Sequence, residues 1–217
     1  MKNSLYSLKK IQFKKDDFKL NINKFEIHRG AIYLISGKIS SGKTAFLKLF
    51  TNSIKYSGCI KYEDKDILDI GKTELNKDIL HLSSELPRSF KTARSYIDSF
   101  VNRYDAIKKN SKEIKALVRR LGASRLMNER IIFLSPGQKR IVSLIAAIGA
   151  DPKVLIIDDL DEYLTTDELK ILKSVLNRKA NYDGVTVIAG CRYIYNFPKF
   201  ASVNITLDSG RIIKVRS

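Results

Sequence analysis

Hydrophobic and polar positions change period several times along the chain, and each change predicts an element. Leu8–Phe13 and Phe18–Ile27 are rich in β-branched and aromatic residues, the signature of strands. Ala31–Ile35 is an apolar run ending in Ser36-Gly37, a strand giving way to a turn. From Gly42 to about Ser53 the spacing becomes helical, with Phe46, Leu47 and Phe50 on one face, and Gly58–Tyr62 returns to strand. In the middle, Tyr96, Ile97, Phe100, Val101 and Tyr104 form a helical stripe that Ile114–Leu121 continues. A further helix follows Pro136-Gly137, carrying Ile141, Leu144, Ile145 and Ile148 on one face. Val154–Ile157 is wholly apolar, as expected of a strand buried on both faces of a parallel sheet. Leu169–Leu176 reads as helix and Val185–Ala189 as strand. Val203–Ile205 and Arg211–Val215 read as a closing hairpin around Ser209-Gly210. Strands at both ends with helices between them predict an α/β domain over 1–217, with a helical lobe inserted at about 88–135.

The junction after Ala31–Ile35 carries the clearest chemistry. Gly37-Lys38-Ile39-Ser40-Ser41-Gly42-Lys43-Thr44 fits the phosphate-loop pattern at every fixed position. Glycines let the backbone curl so that successive N–H groups converge on phosphate oxygens, and the helix opening at Gly42 adds its positive end. Lys43 would reach the β- and γ-phosphates of ATP, and the Thr44 hydroxyl would hold Mg²⁺. The loop sits between an apolar strand and an amphipathic helix, as the chemistry requires.

A second, acidic element belongs with such a loop. Val154-Leu155-Ile156-Ile157-Asp158 is an apolar strand ending in a carboxylate, so Asp158 is the metal-side acid and Asp159 is placed to orient attacking water. A register using Asp161-Glu162 fails, because Ile157-Asp158-Asp159-Leu160 is no buried strand. Asp161 and Glu162 are therefore expected to be solvated loop charges.

Composition narrows the setting. Lys and Arg number 40 against 23 Asp and Glu, for a net charge of +17. Such a balance suits a polyanion, either nucleic acid or an anionic leaflet, and equally suits lysine-rich solvated surfaces. The lysines are scattered and are not interleaved with aromatics, unlike a single-strand stacking platform. Ile141–Ala150, the longest uncharged apolar-leaning run, is too short to cross a bilayer. The start, MKNSLYSLKK, has no apolar core of a secretory signal. Cys59 and Cys191 form no metal or redox pattern. A cytoplasmic protein is expected.

Leu134-Ser135-Pro136-Gly137-Gln138 resembles the LSGGQ signature of ABC-type ATPases, with proline at the third position. It precedes Asp158 at the spacing usual in that family, and Gly58 and Asp208-Ser209-Gly210-Arg211 look like further landmarks. The resemblance covers nearly the whole chain. It implies a mixed sheet core with an antiparallel β subdomain and an inserted helical lobe. It also implies a head-to-tail dimer in which the signature of one subunit caps ATP held by the other. Ser135 and Gly137, with Gln138 beside them, would then meet the γ-phosphate in trans. The partner would be a second copy or a related ATP-binding subunit. A separate multi-span membrane protein would dock beside the helical lobe, leaving this chain peripheral at the inner face of the membrane.

Several accessory positions depart from the family's pattern. The catalytic glutamate falls at Asp159, one methylene shorter, and the switch histidine falls at Arg192. No histidine can substitute nearby, because the chain's only two are His28 and His81. The glutamine that joins sheet to lobe is missing, with Ser84 the best match, and the usual aspartate after the acidic strand falls at Thr165. The adenine-stacking aromatic is Phe13, unless that residue is a core phenylalanine of the first strand. Arg192 keeps its charge at all relevant pH, so it could stabilise phosphate charge but could not shuttle a proton. Strong ATP binding with slow or conditional hydrolysis is the expectation. An ATP-locked regulatory switch is the alternative. A DNA-associated ATPase is less favoured, because only Lys43 to Leu134 intervenes and holds no sustained heptads.

Overall fold

A computed structural model describes residues 4–104 and 107–217. The chain begins with a hairpin of β1 (Tyr6–Lys15) and β2 (Phe18–Ile27), turned at Asp16-Asp17. After β3 (Ile32–Ser36) and helix α1 (Lys43–Leu49) come β4 (Ser57–Tyr62), the short β5 (Lys65–Asp66), α2 (Lys72–Asp78) and β6 (Ile79–Leu82). The helices α3 (Ala93–Arg103), α4 (Ile107–Arg120) and α5 (Pro136–Gly149) follow. The chain closes with β7 (Val154–Ile157), α6 (Thr166–Asp183), β8 (Thr186–Gly190), β9 (Val203–Asp208) and β10 (Arg211–Arg216).

These strands form two sheets. One is antiparallel in the order β2-β1-β4-β5, and the other is mixed in the order β10-β9-β3-β8-β7-β6, with only β10 running against its neighbour. The central strands β3, β8 and β7 are buried on both sides, which explains the unbroken apolar runs of β3 and β7. Alternation sorts their residues: Ile32, Leu34, Leu155 and Ile157 face the core made with α3–α6. Tyr33, Ile35, Val154 and Ile156 face the core made with α1 and the antiparallel sheet.

Two local readings need correction. The helix predicted to run to about Ser53 stops at Leu49, because Asn52 turns into the left-handed region (φ 50°) and Thr51 Oγ1 donates to Lys48 O at 3.1 Å. The pattern also gave no sign of α2 or β6. Among α2 residues only Leu75 is buried, so no stripe marks the helix, and β6 is four residues long with His81 inside it.

Helix α4 is tied to α6 by charge. Glu113 of α4 accepts from Arg178 at 3.0 Å and from Lys179 at 3.2 Å, both on α6. Lys179, 8% exposed, also donates to Asp151 at 2.9 Å and pairs with Asp183 at 3.0 Å. A buried ammonium so placed has its desolvation offset by three carboxylates.

Candidate functional site

The loop between β3 and α1 lines an open cleft of about 1180 Å³. Two of its glycines hold positive φ, Gly37 at 157° and Gly42 at 101°. A Cβ on Gly37 would collide with Leu207 O and the Ser41 side chain, and one on Gly42 would meet Phe18 Cζ at 2.5 Å. Only glycine fits at Gly42, for backbone and for space. Lys43 Nζ folds back across the loop, donating to Gly37 O at 2.9 Å and Lys38 O at 3.2 Å. The ammonium thus sits over the curled backbone, with its apolar stem fixed.

Asp158 meets this loop from the end of β7. It is 1% exposed, and its Oδ2 accepts from Thr44 Oγ1 at 2.7 Å. Its Oδ1 accepts from Asp159 N at 3.1 Å. Residues 114 positions apart in sequence therefore share one hydroxyl–carboxylate contact, the pairing expected of two ligands to one cation. Among the described residues no cluster of three or more His, Cys, Asp or Glu forms a metal site. A cation here would depend on Thr44, Asp158 and oxygens brought by a phosphate.

Asp159 and Arg192 line the same cleft as Lys38, Ile39, Ser40, Ser41, Lys43 and Thr44. Asp159 adopts φ 45°, a left-handed conformation that aspartate tolerates better than most residues. Burial pushes its carboxyl pKa up, and the charges of Asp158 and Glu162 push the same way, against Lys43 and Arg192. Its backbone is held by Arg140, whose Nη2 donates to Asp158 O at 2.6 Å and Asp159 O at 2.9 Å. Arg140 Nη1 donates to Ser83 O at 3.0 Å. Arg140 is 1% exposed, and burial lowers its pKa against the pull of Glu162, Asp159, Asp158 and Asp161.

Asp161 and Glu162 are not the solvated charges expected. Asp161 Oδ1 accepts from Arg192 N at 2.8 Å, and its Oδ2 accepts from Tyr193 N at 3.0 Å and Asn196 Nδ2 at 3.3 Å. Glu162 Oε1 accepts from Arg192 Nη2 at 2.9 Å, with the glutamate side chain only 16% exposed. The β7–α6 and β8–β9 connections converge beside the cleft, and local sequence gives no sign of that meeting. Thr165 proves to be the N-cap of α6, in a reciprocal capping box with Glu168. Neither His28 nor His81 is among the residues that line the cleft. His81 lies opposite Ile156 in the β6–β7 ladder, within electrostatic reach of Asp158, and burial lowers its pKa while that carboxylate raises it.

The hairpin brings in a second aromatic. Pairing of Lys15 with Phe18 and of Phe13 with Leu20 puts Phe13 and Phe18 on one face, their ring centroids 6.4 Å apart and both lining the cleft. Sequence reasoning named Phe13 and missed Phe18, although the Asp16-Asp17 turn implies that register.

Ser84 follows β6 in a half-buried loop and is not among the residues that line the cleft. Ser135, Gly137 and Gln138 also lie outside it. Ser135 caps α5: its Oγ accepts from Gln138 N at 3.3 Å, and Gln138 Oε1 accepts from Ser135 N at 2.9 Å. Pro136 at the first helical position costs nothing there, since that N–H has no helical partner. Gly137 approaches the Tyr163 carbonyl, which a Cβ would meet at 3.2 Å.

Comparison with known proteins agrees with this architecture. The family model for the ABC transporter matches residues 20–161, which take in the phosphate loop, the Leu134–Gln138 segment and the Asp158 corner. The chain belongs to that family. It is 28% identical over 207 residues to a putative ABC transporter ATP-binding protein of Methanosarcina acetivorans, covering 91% of this chain and 39% of that protein. It is 30% identical over 178 residues to the spermidine/putrescine import ATP-binding protein PotA of Mycoplasma capricolum, covering 76% of this chain and 47% of that one. The chain thus spans less than half the length of these relatives. An ATP-binding subunit of an ABC transporter superposes with a TM-score of 0.87 at 16% identity, over 99% of this chain and 90% of that one. A dimeric bacterial ABC transporter cassette superposes with a TM-score of 0.82 at 19% identity, over 98% of both chains. These structural likenesses establish the fold.

Proposed function

We propose that this chain is the ATP-binding subunit of an ABC-type membrane complex, binding Mg-ATP at a head-to-tail dimer interface and hydrolysing it slowly or conditionally. In this reading residues 1–217 form one ATP-binding domain with its helical lobe at about 88–135. The observation that carries it is the contact of Thr44 with Asp158 at 2.7 Å beneath the curled Gly37–Thr44 loop. That arrangement suits a polyphosphate with its cation. Lys43 and the loop N–H groups would bind the β- and γ-phosphates, and Phe13 with Phe18 would flank the base. Thr44 and Asp158 would hold a Mg²⁺, whose charge would neutralise that of the phosphates.

Ser135, Gly137 and Gln138 lie outside their own chain's cleft, which is consistent with a role at a neighbour's nucleotide. Assembly with a membrane-spanning protein is part of the same reading, supported by the match to the ABC transporter family model. The departures at Asp159 and Arg192 favour slow turnover, and they keep open a second reading, an ATP-locked switch.

Sedimentation tests the arrangement. ATP, but not ADP, should shift the protein from monomer to dimer, because each cleft gains contacts from the partner only when a γ-phosphate is present. Ser135→Arg should block the shift while leaving nucleotide binding in place. Lys43→Ala should weaken ATP binding several-fold or more without unfolding the chain. A monomer at saturating ATP, alone and with its membrane partner, would rule out the head-to-tail arrangement.

A further inference from the structure

The geometry points to Glu162 as a positioning residue that holds Arg192 as a fixed donor for the terminal phosphate, making the site prefer a triphosphate over a diphosphate. This rests on the ATP-binding reading above. It concerns how the chain works with arginine where the family's pattern has histidine.

Arg192 follows β8 and has a half-exposed side chain, 47% accessible. A long guanidinium side chain at such a site ordinarily samples many rotamers, and ordering it on binding costs free energy. Two carboxylates from the β7–α6 connection restrain it here. Asp161 accepts from the N–H groups of Arg192 and Tyr193, at 2.8 and 3.0 Å, so the backbone that presents the side chain is fixed. Glu162 takes Nη2 at 2.9 Å and fixes the guanidinium itself.

Glu162 is suited to anchoring because it is itself held. Its N–H donates to Asp159 O at 3.0 Å, its side chain is only 16% exposed, and the buried Arg140 guanidinium balances its charge from within. Among the described residues the guanidinium is held by this one hydrogen bond through Nη2. Arg192 lines the cleft together with Lys43 and Asp159 even while paired to Glu162. The ion pair therefore orients the guanidinium without withdrawing it. Under the ATP-binding reading a diphosphate would end short of Arg192, so Arg192 would act on the third phosphate only.

Binding of ATP and of ADP, each with Mg²⁺, to wild type, Glu162→Gln, Glu162→Ala and Arg192→Ala tests the assignment. Glu162→Ala should weaken ATP about two- to ten-fold, the cost of ordering one long side chain, and leave ADP unchanged. Glu162→Gln, which keeps an acceptor, should retain part of the preference. In an Arg192→Ala background, Glu162→Ala should have no further effect on the ATP-to-ADP ratio. A merely structural role would lower both affinities together and would overturn the assignment. So would tighter ATP binding in Glu162→Ala, which would make Glu162 a competitor of the phosphate, or an unchanged ratio in both variants. Wild type that binds neither nucleotide would instead defeat the ATP-binding reading itself.

Discussion

Arg140, on the helix that begins at the signature segment, donates through Nη2 to the backbone carbonyl of Asp159 at 2.9 Å. The same guanidinium reaches Asp158 O and Ser83 O, at 2.6 and 3.0 Å. One buried side chain therefore fixes the directions of two acidic residues and the end of β6. It also joins them to α5, whose first turn carries Ser135 and Gly137.

Arg140→Met should test how much of that corner depends on the guanidinium. The methionine fills similar space but donates nothing, so Ser83 O and Asp158 O lose this donor in a desolvated site, while Asp159 O keeps only the Glu162 N–H. We expect a loss of about 2–4 kcal/mol. For a chain of this size that lowers the unfolding midpoint by on the order of 10 °C. Arg140→Lys, which supplies one donor group, should recover part of the loss. A calorimetric midpoint for Arg140→Met equal to wild type would show that other contacts hold the corner.

How much of this was legible in the sequence depends on what each residue interacts with. The curl of the Gly37–Thr44 loop was legible because its glycines are dictated by local backbone shape, which local sequence can display. Asp158 was legible because an apolar strand must end somewhere, and its carboxylate marks where. Arg140 was not, since a basic residue one turn into an amphipathic helix ordinarily reads as solvated. Asp161 and Glu162 were misread for a related reason: their partners, Arg192 and Tyr193, lie on another connection and come near only once β7 and β8 pair. β6 escaped notice because its burial comes from neighbours in space and its own four residues carry no period.

Asp159 should carry a measurable pH signature. Its folded-state pKa is raised, chiefly by burial and then by Asp158 and Glu162. Its protonated form therefore favours the fold, and that contribution is lost as pH rises above the ordinary carboxylate range through the raised value. Ionised Asp159 thus costs stability at neutral pH in the nucleotide-free protein. Asp159→Asn should raise the melting midpoint at pH 7.5, and the gain should shrink as pH falls into the range where wild-type Asp159 is already protonated. Asparagine also tolerates the left-handed backbone at this position (φ 45°), a benefit that does not vary with pH. The pH-dependent part is therefore the diagnostic one. A gain that stayed constant from pH 7.5 downward would leave only the backbone effect.

The steepest test of the slow-hydrolysis reading lies in the length of one side chain. Arg140 pins the Asp159 carbonyl, and the Asp159 N–H donates to Asp158 Oδ1 at 3.1 Å, so the backbone cannot shift to compensate for a short side chain. Asp159→Glu moves the carboxylate one methylene further into the cleft that Lys43 and Arg192 also line. Misplacement by about 1 Å can cost two orders of magnitude in rate, so restored reach should raise steady-state phosphate release by roughly ten-fold or more. Arg192 sets the competing expectation. If the absent histidine is the main defect, Asp159→Glu alone changes little and Arg192→His is needed as well. Because both side chains act on one site, the double variant should depart from the product of the single effects. Wild-type turnover at or above the median enzyme rate of about 10 s⁻¹ would contradict impaired catalysis outright. No gain in either single variant or in the double would remove hydrolysis from the protein's task and leave ATP as the ligand that locks a switch.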